Sequence, residues 1–148
     1  DESTEVTLEL NPGTLEFGNL SELRSAGVNR ISMGAQSFND KHLESLGRIH
    51  DSSEIFAAFE SIRDAEFTNI NIDLMWGLPH QTVSQAIKDL EQAVALEPEH
   101  ISWYQLTIEK NTKFFNDPPK LPDCRLISEI QDHGCQLLAR YGYEQYEI

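Results

Sequence analysis

Three residues able to hold a polar ligand fall on successive strand-like segments of this sequence: Glu9 in residues 6–10, Gln36 in residues 30–36 and Asp73 in residues 70–75. The third stretch is the most informative. In NINIDLMWGLP, residues 69–79, Ile70, Ile72 and Leu74 alternate with Asn71, Asp73 and Met75, so a strand sends the apolar set to one face and the polar set to the other. Burying an unpaired carboxylate costs several kcal/mol, so Glu9 and Asp73 need hydrogen-bond donors or a cation. Arg30, Arg48 and backbone amides could supply these in a purely structural role, which is the favoured reading for one isolated acid. Two acids and an amide on successive strands favour a ligand site instead. Amines and hydroxyls, as in an amino acid or a nucleoside, are the groups such a lining would satisfy.

The elements that must position these residues alternate along the chain. Strands are expected at 6–10, 30–36, 70–75, 101–106 and, more weakly patterned, 143–148; helices are expected at 15–26, 41–46, 53–65, 83–96 and 123–141. Gly27 follows the first helix, Ser52 or Ser53 is placed to cap the third, Gln81–Thr82 opens the fourth, Pro98 follows it, and Gly142 follows the last. Repeated β–α units imply a parallel sheet, either part of a (β/α) barrel or an open doubly wound sheet. A strand covered by helices on both faces reads as a continuous apolar run. The first three strands alternate instead, which suits a barrel with a polar lumen. Their polar groups fall late in each strand, the end at which such folds bind ligands.

Composition narrows the function classes. The chain has 148 residues and 39% hydrophobic content, enough for one core, and no linker-like stretch divides it. A formal net charge of −14 argues against a general nucleic-acid or anionic-membrane binder. No apolar run approaches the roughly 20 residues needed to cross a bilayer, and no signal segment is seen, so a soluble, cytoplasmic protein is expected. Cys124 and Cys135 lack metal-site spacing and are expected to be ordinary buried or half-buried thiols. The first residue is Asp1 and the last is Ile148, directly after a strand-like YEQYEI, as expected for an excised piece. The turn Gly77-Leu78-Pro79 is useful near a ligand and equally ordinary as a β–α connection. In GRIH, residues 47–50, the Arg and His read as a solvated pair, and Trp76, Trp103, Tyr104 and Phe114–Phe115 read as packing aromatics.

Longer runs carry a resemblance. LELNPGTLE (8–16), GVNRISMGAQSFN (27–39), LGRIH (46–50), NIDLMWGLPHQT (71–82) and HISWYQLTIEKNT (100–112) resemble the radical S-adenosylmethionine (SAM) proteins of the oxygen-independent coproporphyrinogen III oxidase family, and within it the HemW-type branch of haem chaperones. The resemblance implies the later part of a (β/α)6 partial barrel: one domain over residues 1–148, holding about the third to sixth strands plus a C-terminal helix and strand. The family's C-x-x-x-C-x-x-C cluster loop and G-G-G-T-P strand end do not occur in this sequence. By the family pattern, the acid of E-x-N/D-P falls on Glu9, the Gln of M-G-x-Q on Gln36, the following Arg on Arg48 and the Asp of N-x-D-L on Asp73, all lining the SAM site. Thr107 matches a further lining position.

The implied chemistry is reductive cleavage of SAM by a [4Fe–4S] cluster to methionine and a 5′-deoxyadenosyl radical, with the protein binding, orienting and shielding the reactants. In the oxidase the radical abstracts hydrogen from coproporphyrinogen III propionates, and decarboxylation gives protoporphyrinogen IX. The chaperone branch implies haem binding and transfer. The partners implied are SAM, a porphyrinogen or haem, an electron donor and a haem-accepting protein. With no cluster cysteines and with open strand edges, this segment alone is expected to be inactive and prone to self-association. An unrelated (β/α) ligand-binding module is the remaining alternative.

Overall fold

The computed structural model describes residues 4–14 and 20–147. Four parallel strands, β1 (Thr7–Leu10), β2 (Arg30–Gln36), β3 (Ile70–Trp76) and β4 (His100–Gln105), lie side by side in chain order. A 3-10 turn at Pro12–Thr14 and helix α1 (Leu20–Ser25) link β1 to β2; α2 (Asp40–Ser45) and α3 (Ser52–Asp64) link β2 to β3; α4 (Val83–Ala95) links β3 to β4. Two helices follow, α5 (Lys113–Asn116) and α6 (Cys124–Arg140). Positions 15–19 of the first expected helix lie outside the described residues.

Two expectations are corrected here. Residues 143–147 form no strand, and position 148 of that expected strand lies outside the described residues. The Tyr143 N–H donates to Leu138 O and its hydroxyl to Pro98 O at 2.7 Å, so this segment closes the end of α6 instead of extending the sheet. Helix α3 is capped by Asp51, one residue before Ser52. Its carboxylate accepts from the Glu54 N–H while the Glu54 side chain returns to the Asp51 N–H, and the Ser53 hydroxyl also donates to it. An ionised acceptor at a helix N-terminus also meets the positive end of the helix dipole. Thr82 and Gln85 form the matching capping box on α4, as the Gln81–Thr82 opening foreshadowed. Gly27 (φ 108°) and Gly142 (φ 85°) take the left-handed turns that follow α1 and α6. The short α5 was not foreseen in the sequence and starts where Thr112 Oγ1 accepts from the Phe115 N–H.

The apolar strand face behaves as its alternation requires. Ile31, Met33, Ala35, Ile70, Ile72 and Leu74 are fully buried and pack with Ile55, Ala58, Phe59 and Ile62 of α3 and Leu90 and Ala93 of α4. Each such Ile or Leu contributes about 1.5–3 kcal/mol by leaving water. Beyond them, α6 lies against α4, and Ile130 joins Trp76, Ala86 and Trp103 in a second cluster, the two indoles 5.1 Å apart. Gly134 of α6 is buried against the Trp103 ring. No helix among the described residues is long and apolar enough to cross a membrane.

The end of β2 departs from regular geometry. Between Met33 and Gln36 the register against β3 shifts, so that Gln36 stands opposite Leu74. Gln36 takes φ 69°, and the Ser37 N–H bonds to Ala35 O across it, an i to i+2 closure of γ-turn type. Asp89 of α4, only 3% exposed, reaches the next two residues: the Ser37 hydroxyl donates to Oδ2 at 2.7 Å and the Phe38 N–H to Oδ1 at 2.9 Å. Burial pushes this carboxyl up to about 6, against the opposing pull of those two bonds.

Two outcomes follow. A Cβ at Gly134 would stand well inside van der Waals distance of the nearest Trp103 ring atom, so Gly134→Ala should lose about 1–3 kcal/mol in a denaturant titration despite alanine's better helix propensity, and an unchanged midpoint would refute this packing. For Asp89, the folded-state value lies above the unfolded 3.8, so its contribution is fully present below about pH 4 and is lost as pH rises through about 6. Between those limits the loss amounts to about 3 kcal/mol. Denaturation at a series of pH values should show Asp89→Asn gaining on the native protein by that order as pH rises, whereas parallel profiles would show that Asp89 titrates normally.

Candidate ligand site on the polar sheet face

Register places Glu9 beside Ser32, Ser32 beside Asn71, Asp73 beside Ser102 and Met75 beside Tyr104, so these side chains share the face turned away from α3 and α4. Asp73 is the centre of a bonded network. Asn71 Nδ2 donates to its Oδ1 at 2.8 Å, and the Ser32 hydroxyl donates to its Oδ2 at 3.1 Å. Asn71 Nδ2 also lies 2.9 Å from Ser32 Oγ, and its Oδ1 accepts from the Ser102 hydroxyl at 3.1 Å. Asn71 and Ser32 are buried, while Asp73 keeps partial exposure.

All the donors bonded to Asp73 are neutral. Arg30 donates to Thr7 Oγ1 at 3.3 Å and lies 3.9 Å from Glu5, and Arg48 donates to Asn11 Oδ1 at 3.0 Å. Neither arginine therefore takes the structural role that would explain Asp73 without a ligand. Desolvation raises the Asp73 carboxyl above its ordinary range, the bonds from Ser32, Asn71 and Ser102 pull it back in part, and the charge of Glu9 on the same face raises it further.

Gln36 joins this face through the turn described above. Its Oε1 accepts from the Tyr104 hydroxyl at 2.8 Å. Its Nε2 and Asn11 Oδ1 converge on Gly34, where an added Cβ would stand 2.9 Å and 3.1 Å from them, so a side chain there would push both amides aside. Burial raises the Tyr104 phenol, the Asp73 charge adds to this, and the positive charge of Arg48 opposes it. The described geometry thus brings together Glu9, Gln36, Arg48 and Asp73 around Tyr104 and Asn11. Thr107 stands apart, on the exposed segment after β4, with its hydroxyl donating to Glu109 at 3.0 Å.

Several readings of the sequence change. Tyr104, expected to pack, is 41% exposed with its hydroxyl on Gln36, because it lies on the polar face of β4; Phe115 is also exposed. The two members of the expected solvated pair part company: His50 is buried with Nε2 3.2 Å from Ala35 O, while Arg48 stays partly exposed. Cys124 and Cys135, expected to be at least half buried, are exposed and free because both lie on the outer side of α6. Ser102 has no distinctive sequence signature and becomes visible only through register, while Asn11 stands in the E-x-N/D-P stretch read for Glu9 and shows its part only in its contacts with Arg48 and beside Gly34. Asp89 is two elements away from the face in sequence and no periodicity pointed to it.

Residues 1–93 match the Radical SAM superfamily model. The chain is 51% identical over 147 residues to the heme chaperone HemW of Haemophilus influenzae, and 48% identical over 143 residues to that of Escherichia coli, covering 99% and 97% of this chain respectively. It spans 38% of the length of each of these relatives. In structure it resembles coproporphyrinogen III oxidase (HemN) from Escherichia coli, a radical SAM enzyme, with a TM-score of 0.87 and 30% identity over 97% of this chain and 34% of the oxidase. The four-stranded parallel sheet, the helices along its apolar side and these likenesses together place the chain in the radical SAM superfamily, in its HemN/HemW-like family.

Proposed function

We propose that the polar sheet face binds SAM, and that the protein containing this segment is a haem chaperone of the HemW type. The observation that carries the ligand reading is the Asp73 carboxylate, held among the described residues by neutral donors and still partly open to solvent. The donor chemistry fits. Glu9 and Asp73 are acceptors suited to an ammonium group and ribose hydroxyls, Gln36 offers an amide anchored by Tyr104, and Arg48 is a cation suited to the ligand carboxylate. Thr107 is a peripheral member of the set, able to join only by leaving Glu109. When bound next to a reduced iron–sulfur cluster, SAM supplies one-electron radical chemistry, and this segment's part is binding and orientation.

The cluster itself does not fit these residues. Both cysteines are exposed on α6, and among the described residues no group of three or more His, Cys, Asp or Glu is arranged to hold a metal ion. The 51% identity to a heme chaperone supports haem as the cargo, with a cytoplasmic location, an electron donor and a haem-accepting protein as further parts of the reading. The likeness to the oxidase supports a second reading, turnover of coproporphyrinogen III. Stoichiometric haem uptake by the full-length protein without porphyrinogen turnover supports the chaperone; the converse supports the oxidase.

Equilibrium dialysis of labelled SAM against the cluster-loaded full-length protein tests the site. Asp73→Asn keeps the shape, can still accept from Asn71 and can turn its NH2 onto Ser32 Oγ, but removes the charge, and should weaken binding about tenfold or more. Glu9→Gln should weaken it less, since that side chain is exposed. Wild-type affinity in both variants would remove the sheet face from consideration as the SAM site.

A further inference from the structure

Asp89 is a buried carboxylate without a role in the proposed ligand site. It lies on α4, on the helix-covered side of the sheet, and among the described residues no cation bonds to it; the charge of Lys88 is the smallest of the influences on it. Keeping a carboxylate in such a place is costly unless the fold needs what it holds. What it holds is the pair of residues directly after Gln36. The Ser37 hydroxyl and the Phe38 N–H both end on it, and Ser37 Oγ in turn accepts from the Asn39 N–H at 3.1 Å. Ser37 is fully buried, so these bonds have no competition from bulk water.

The residue next to this clamp is one of the non-glycine residues at positive φ. A non-glycine residue at positive φ costs on the order of 1–2 kcal/mol and persists only where its surroundings fix it. Gln36 at φ 69° is fixed by the Ser37 N–H to Ala35 O closure on one side and by Tyr104 on its side chain. If the chain after it were free, the turn could relax towards extended backbone and swing the carboxamide away from Tyr104 and Gly34. We propose that Asp89 is a positioning residue for the ligand site: by gripping Ser37 and Phe38 it holds the turn at Gln36 and so aims the Gln36 carboxamide onto the polar face. The inference rests on the reading that Gln36 contacts SAM.

The test combines two readouts on the full-length, cluster-loaded protein: SAM affinity, and hydrogen exchange of a peptide covering residues 35–40. Asp89→Ala should lose protection in that peptide and weaken SAM binding about tenfold, as much as Gln36→Ala does, with the double variant no worse than either single one. Asp89→Asn, which can still accept from Phe38 and bond Ser37, should restore both readouts. Wild-type SAM affinity in Asp89→Ala alongside weakened binding in Gln36→Ala would overturn the positioning role and leave the SAM reading standing. Unchanged exchange in residues 35–40 would overturn the clamp. Wild-type affinity in Gln36→Ala would overturn the reading of Gln36 as a ligand contact and this inference with it. Should Asp89→Ala fail to fold, Ser37→Ala removes one of the two clamp bonds and is read by the same outcomes.

Discussion

A carboxylate in the middle of a parallel strand can be kept only where its neighbours donate to it, and the polar face of this sheet is arranged around that requirement at Asp73. The donors come from fixed places. Asn71 is two residues back on the same strand and therefore on the same face; Ser32 stands beside Asn71 on β2; Ser102 stands beside Asp73 on β4 and donates to Asn71, which it holds in place. A slip of one residue in either pairing would replace a hydroxyl by Ile31, Met33, Ile101 or Trp103 and break the network around Asp73. Correct register is thus a condition for the polar face as well as for the core.

The opposite face enforces the same register by different means. Ile31, Met33, Ile70, Ile72 and Leu74 have no exposure, and shifting any of these strands by one would turn that set out of the core. Hydrophobic burial therefore provides most of the driving force, while the hydroxyls and the amide of the polar face contribute little net stability but would be expensive to leave unpaired. Chemistry on one side is positioned by packing on the other. The two demands agree at every paired position until Met33, and the bulge that follows is where they separate.

Much of this was legible in the sequence because it follows from periodicity. The four strands, the five longer helices and the sorting of Glu9 and Asp73 to a polar face came from alternation and punctuation, which local chemistry dictates. What escaped depends on contacts distant in sequence. Asp51 outcompeted Ser52 as a cap because a carboxylate can accept from Ser53 and Glu54 together. Residues 143–147 looked like a strand by composition, but Tyr143 found its partners at Leu138 and Pro98 instead of a strand edge. Tyr104 and His50 exchanged their expected environments, since an aromatic ring near the end of an alternating strand is sorted by face, and a loop histidine by whichever carbonyl it can reach.

Non-glycine residues at positive φ also occur at Glu66, His80, Glu97 and Asn111, in turns and just past helix ends, but several costly departures of different kinds meet at one place. Gln36 at positive φ, the register shift before it, Gly34 kept free of a side chain, the partly desolvated Asp73 and the buried Asp89 all belong to β2, its turn, or side chains bonded to them. Each one costs stability on its own, through strain, a missing side chain or a charge taken from water. Elsewhere, α3 and α4 begin with complete capping boxes and the core facing them is fully buried, so local preference and tertiary structure agree. A chain selected only for stability would have no reason to set a bulge, a strained amide and two costly carboxylates side by side. Such concentration is expected where a fold must present fixed polar groups to a ligand, because those groups have to be held in place before the ligand arrives.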